Sequence, residues 1–155
     1  MTRTISFAGL AAVVGTEVAV SGWFEVGQDR IDAFAEATDD RQWIHVDPER
    51  CARESPFGAP VAHGFLTLSL LPAMLESALT IEGMRMGVNY GLNKVRFPAP
   101  LPAGSRVRAR WTLAAADPIE GGLQLTWDVK IEPASPSGAS VRPVCAAEFL
   151  IRAYG

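Results

Sequence analysis

The sequence predicts an α+β fold in which an antiparallel sheet curls around one buried helix. Three observations carry that prediction. The segment from Gly64 to Leu79 is apolar nearly all round, with Phe65, Leu66, Leu68, Leu70, Leu71, Met74, Leu75 and Leu79. A helix without a polar face has to be covered on most sides. After Gly83 the chain alternates apolar and polar residues with the period of two that marks half-buried strands. A sheet with one apolar face and a helix with no polar one remove each other's exposure by packing together.

Taken in order, residues 5–13 (Ile5, Phe7, Leu10 and Val13, with Val14 following) suit a short amphipathic helix that Gly15 closes in the left-handed conformation. Arg3 and this apolar run also resemble a secretory leader, but the run is short and Glu17 follows without a small-x-small cleavage signal. Val18 to Val26 reads as a strand broken at Ser21-Gly22. Gln28 to Thr38 reads as a helix, with Ile31, Phe34, Ala35 and Thr38 on one face and Asp29, Asp32 and Glu36 turned away. Irregular backbone is expected from there to His45. Asp47 caps and Pro48 opens a small helix to Glu54, since proline's missing N–H costs nothing in a first turn.

Ser55 to Pro60 is a breaker-rich loop leading to the apolar helix. Pro72 inside that helix removes one hydrogen bond, so a bend is expected near Leu68. Strands are then expected over Met86 to Phe97, Arg106 to Leu113, Leu123 to Ile131 and around Val144 to Arg152. In the second, Val107, Ala109, Trp111 and Leu113 share a face, and Arg106, Arg108 and Arg110 share the other. Asp117 to Gly122 is a turn, and Leu123, Leu125, Trp127, Val129 and Ile131 alternate after it. No repeat, linker or low-complexity tract divides the chain, so residues 1–155 are read as one domain.

Composition narrows the function classes. Apolar residues are 48% and charged residues 20% of the 155, an ordinary globular balance. A net charge of −3 with no basic block argues against nucleic acid or an anionic membrane surface as partner. No run approaches the ~20 apolar residues of a membrane span. Cys51 and Cys145 stand in unrelated contexts, which suits two reduced thiols in a cytoplasmic protein.

The chemistry concentrates between Asp40 and Ser69. Both histidines of the chain, His45 and His63, lie here, and Asp40 precedes His45 by five residues. A carboxylate and an imidazole held together can move a proton. Gly64 falls at a helix start, where backbone N–H groups lack partners and can meet an oxyanion. His63 is read as a structural residue fixing the loop before that helix, and Asp47 as the cap beside Pro48. Ser69, six residues after His63, lies on an apolar helix, where a serine tends to bond back to the backbone. A metal site on Asp40, His45 and Asp47 would be a competing use of these residues, but two histidines and no paired cysteines argue against zinc, and no G-x-S-x-G elbow is present.

The stretches ATDDRQWIHVDPERC (Ala37–Cys51) and SPFGAPVAHGFLTLSLLP (Ser55–Pro72) resemble the signature of MaoC-like, (R)-specific enoyl-CoA hydratases, in the branch similar to nodulation protein N. Their pattern, Asp-x-Asn-Pro-x-His-x-Asp followed by His-Gly-x-Leu, falls on Asp40, His45 and Asp47, then on His63, Gly64 and Leu66. Ser69 matches a serine that such hydratases place near the catalytic pair, and VRFPAPLPAGSRVR (Val95–Arg108) is similar to a strand–loop–strand segment of the family. Gln42-Trp43 stands where the pattern has Asn-Pro, which makes Gln42 a longer amide.

The resemblance implies a hot-dog fold and a homodimer. It implies addition of water to a trans-2-enoyl-CoA, or a related acyl thioester, to give the (R)-3-hydroxyacyl thioester. Asp40 and His45 would be catalytic; Gly64, Ser69 and Gln42 would bind the oxyanion or substrate. Coenzyme A or an acyl-carrier protein would be part of the substrate, with no further cofactor. Which of Asp40 and His45 is the base stays open, since burial can raise a carboxylate toward the range of an imidazole. Two other readings fit the same fold: a thioesterase, for which Glu76 on the apolar helix is the carboxylate to watch, and an acyl-thioester binder without catalysis.

Overall fold

The computed structural model describes all 155 residues. Its main sheet has six strands: β2 (Glu17–Val20), β3 (Phe24–Val26), β5 (Met86–Arg96), β6 (Ser105–Ile119), β7 (Gly122–Pro133) and β8 (Cys145–Tyr154). The order is β2-β6-β7-β8-β5, with β3 also paired to β6, and every pairing is antiparallel. Alternation does what the sequence requires of it. Val107, Ala109, Trp111, Leu113, Leu125, Trp127, Val129 and Ile131 all point to one face and are fully buried there. Trp111 and Trp127 meet edge to face at 5.8 Å, an arrangement the ring quadrupoles favour.

Two helices lie against that face, α4 (Gly64–Ser69) and α5 (Leu71–Ala78), and bury Leu66, Leu71, Met74 and Ala78. The single helix expected over Gly64–Leu79 is therefore split. Pro72 has no N–H for the carbonyl of Leu68. Leu70, at the break, turns its own N–H to the carbonyls of Thr67 and Leu68. Leu79 leaves the helix altogether and opens β4 (Leu79–Glu82), which pairs in parallel with β1 (Arg3–Ser6). Coverage is also one-sided: Phe65, Ser69, Pro72, Ala73, Glu76 and Ser77 are exposed. One sheet can wrap only one side of a helix, and nothing within this chain covers the other.

The first element differs from its expectation. Ile5 belongs to β1, and a 3₁₀ helix over Phe7–Val13 follows it, started by the Ser6 hydroxyl accepting the N–H of Gly9. Gly15 takes φ 85°, the left-handed closing conformation read from the sequence. The strands β6, β7 and β8 run longer than alternation alone marked, so the turn near Asp117 shrinks to Glu120-Gly121. Elsewhere the local signals hold. Helix α1 covers Gln28–Thr38 with Ile31 and Ala35 buried, and α3 covers Pro48–Glu54 with Asp47 accepting the N–H of Arg50 at 3.0 Å. Cys51 and Cys145 are free and buried, and burial pushes the Cys145 thiol up to about 11.

Candidate active site

Helix α1 ends at Asp39, whose φ of 61° makes it the one non-glycine residue in the left-handed region. Asp40 follows in irregular backbone, exposed, with its carboxylate accepting the N–H of Gln42 at 3.5 Å. Where irregular chain was expected up to His45, a short helix α2 (Trp43–Val46) forms. It is held by Gln28, whose amide donates to the His45 carbonyl at 2.7 Å, and by the Arg50 guanidinium over the Trp43 ring at 4.3 Å. Trp43 is the large anchor that replaces a turn-forming proline here.

The segment Pro60–Ala62 threads between this helix and the loop before β6. Val61 donates to the carbonyl of Ile44, Ala62 to that of Leu101, and the N–H of Ala103 reaches Pro60. Threading of this kind fixes His63 against His45. The imidazole of His45 is 7% exposed and its Nδ1 lies 2.6 Å from the Val61 carbonyl oxygen. A carbonyl only accepts, so Nδ1 carries the proton in the neutral ring and Nε2 is left with its lone pair. His63 is 3% exposed; its ring stacks on that of His45 at 3.8 Å with 24° between planes. One atom each of Asp40, His45 and His63 lie within 4.8 Å of one another.

That spacing suits a shared water or proton. It suits a metal ion poorly, because lone pairs lie in the ring planes and two nearly parallel rings do not aim them at one point ~2.1 Å from each.

Gly64 is the first residue of α4, so its N–H has no partner within the helix. The ring of Phe97 presses on its Cα: a Cβ at this position would lie 2.7 Å from a Phe97 ring carbon. Only glycine lets the ring and the helix start meet this closely. Phe97, Phe57, Ala62, Thr67 and Leu101 line an open cleft of about 260 Å³ beside Gly64.

The structure thus brings Asp40, His45 and His63 together, with Gly64 next in the chain after His63 at the start of α4. Ser69 it leaves apart: the hydroxyl is exposed and donates to the carbonyl of Phe65 at 2.6 Å, the backbone bond expected of a helical serine. Gln42 lies beside Asp40, its side chain exposed and its carbonyl accepting the N–H of His45. Sequence reasoning gave His63 only a loop-fixing part and did not single out Phe97. The signal for His63 was its being one of just two histidines, both in this stretch. For Phe97 no local signal exists, because its contact with Gly64 is made across the fold.

A curled antiparallel sheet with a helix in its concavity is the hot-dog fold. The solved (R)-hydratase from A. caviae involved in PHA biosynthesis superimposes with a TM-score of 0.69 over 89% of this chain and 94% of that one, at 24% identity. The sequence profile of the MaoC like domain matches residues 10–126. Across 95% of each chain, this protein is 47% identical to 3-hydroxyacyl-thioester dehydratase Z of Mycobacterium tuberculosis. It is 49% identical to Nodulation protein N of Rhizobium leguminosarum bv. viciae, over 83% of this chain and 81% of the relative. The chain belongs to the MaoC-like family.

Proposed function

We propose that this protein is a hydro-lyase that interconverts a trans-2-enoyl thioester and water with the (R)-3-hydroxyacyl thioester. The observation that supports it most is the meeting of Asp40 and His45 around His63, the residue directly before the unpartnered N–H that starts α4. A hydration site needs a base for water, an acid for C2 and donors for the thioester oxygen. The name carried by the Mycobacterium tuberculosis relative points to the same reaction.

The steps balance on this chain's own groups. His45 Nε2 takes a proton from a water that Asp40 orients, and the hydroxide oxygen bonds to C3. The C2=C3 electron pair moves toward the thioester carbonyl, whose oxygen is met by the N–H of Gly64. Imidazolium then returns the proton to C2 on the same face. Proton transfer by a positioned group contributes about 10²–10⁴ in rate, and an oxyanion donor about 10²–10³. Gln42 contacts the substrate near Asp40, and Ser69 does so only after its hydroxyl leaves Phe65. Neither metal nor cofactor enters this scheme, and the carrier, coenzyme A or an acyl-carrier protein, belongs to the substrate.

The active form in this proposal is a cytoplasmic homodimer. Strand β5 is a sheet edge with one neighbour, and it exposes Met86, Val88, Tyr90 and Leu92 along its length. Such an edge is normally paired or covered, and a second copy would pair it. Glu76, the carboxylate a thioesterase would use, is exposed on the rim of a different cavity of about 380 Å³ lined by Pro72, Leu75, Met84 and Trp127, and both histidines are elsewhere.

The deciding assay follows enoyl-thioester absorbance and free thiol together. Loss of absorbance without thiol supports the hydratase; release of thiol, or no change in either signal, overturns it. Light scattering at micromolar concentration checks the dimer.

A further inference from the structure

We propose that His63 is a positioning residue that holds Asp40 and His45 in register with each other, an inference resting on the hydratase reading above. Its Nε2 lies 2.9 Å from the backbone carbonyl oxygen of Asp40, twenty-three residues away in sequence. Its ring face lies on the ring face of His45 at 3.8 Å. Both residues therefore touch one side chain, Asp40 through its backbone carbonyl and His45 through its ring, and that side chain is itself rigid. Its own carbonyl accepts the N–H groups of Leu66 and Thr67 at the start of α4, and its ring packs on Phe34 at 4.9 Å.

Asp40 needs such a support. It sits in irregular backbone just after a left-handed residue, with its side chain exposed and gripped by no cation. His63 supplies the long-range hydrogen bond to that residue. An irregular loop left to itself samples many positions, and a misplacement near 1 Å costs about 10²-fold in rate.

The Asp40 carbonyl accepts only, so Nε2 bears the proton and Nδ1 is left with a bare lone pair. That Nδ1 is buried without a partner, and such atoms are rare in native proteins. The His63 ring face, stacked on His45 at 3.8 Å, fixes the plane of that imidazole.

Three variants separate the two contacts. His63→Gln keeps an N–H donor for Asp40 and loses the ring; His63→Phe keeps the ring and loses the donor; His63→Ala loses both. The alanine variant is expected to lose about 10²-fold in kcat with KM within about threefold, and glutamine and phenylalanine each to recover about tenfold of that loss. A kcat within about threefold of wild type in folded alanine, glutamine and phenylalanine variants overturns the proposal. Glutamine and phenylalanine variants as slow as alanine also overturn it.

Should the alanine variant not fold, the other two decide alone. A fall in kcat at constant KM supports the role, and unchanged kcat sinks it. A readout independent of activity is the ¹⁵N spectrum of the imidazoles, which only two histidines keep simple to assign. His63 is expected as the Nε2–H tautomer, and a proton on Nδ1 at neutral pH overturns the geometry. Absence of hydratase activity in the wild type would instead remove the reading beneath it and leave the tautomer test standing.

Discussion

Two carboxylates in this protein are treated in opposite ways. On the outer face of the sheet, Glu132 lies 2.6 Å from Arg108 and 3.2 Å from Arg110, and Arg110 is also 3.2 Å from Glu17. Burial pushes Glu132 up, but the hydrogen bonds and charges of the two arginines outweigh it and hold the carboxyl below the usual range. In the candidate site, Asp40 has no ion pair, and its neighbour Arg41 is taken by Glu36 at 2.8 Å and Asp39 at 2.7 Å. The first carboxylate is consumed by the fold; the second is left without an ion pair. Pairing supports stability, while chemistry needs a group whose best partner arrives with the substrate.

The sharpest way to break this contrast is to remove the free groups. At nearly constant size, Asp40→Asn loses the carboxylate that orients the water and His45→Gln the group that moves its proton, so each is expected to cut kcat by about 10²–10⁴ with little change in melting temperature. Their combination is expected to lose little more than the worse single, because groups acting on one water are non-additive. Steady-state kinetics on the four proteins checks both statements. Losses that multiply would count against a shared water.

Next in size is Gly64→Ala. Its Cβ would sit 2.7 Å from the Phe97 ring, so ring or helix start has to move. A loss of about 10²-fold in kcat is expected, the scale of one displaced oxyanion donor. Gly64→Ala combined with Phe97→Ala, which removes the clash, is expected to regain part of it.

On the outer face, Glu132→Gln is expected to leave kcat unchanged and to lower stability by only about 1 kcal/mol, since the group is partly exposed and screened. The sign follows from its depressed folded value. The carboxylate's contribution is fully present above the unfolded value of about 4.3, and it fades as pH falls through the lower folded value. Denaturant melts of wild type and variant are therefore expected to differ near neutrality and to converge in acid. The smallest effect belongs to Ser69→Ala. With its hydroxyl bonded to Phe65, stability is expected to change by less than about 1 kcal/mol. A large drop in kcat from this variant would show the hydroxyl leaving Phe65 for the substrate.

How much was legible beforehand differs between the same two regions. The sheet could be read because side chains alternate with a period of two, and Val107 to Leu113 and Leu125 to Ile131 keep that period without exception. Helices α1 and α3 could be read from Gln28–Thr38 periodicity and the Asp47-Pro48 start. Asp40, His45 and Gly64 could be picked out because their types and spacing are rare, and the MaoC-like signature sits on them. The N-terminal strand could not, because a short apolar run is compatible with either structure and its partner β4 lies more than seventy residues away.

The sequence by itself determined the local choices: which face of the long strands is apolar, where α1, α3 and α4 start, and where a proline must interrupt a helix. Those depend on residues a few positions apart. Only the tertiary structure decided that His63 would stack on His45 and reach Asp40, and that Phe97 would lie on Gly64. It also decided that α4 and α5 would be covered on one side and that β5 would end the sheet. Each of these is a contact, or a missing contact, between segments brought together by the packing of the whole core, and no short-range pattern encodes it.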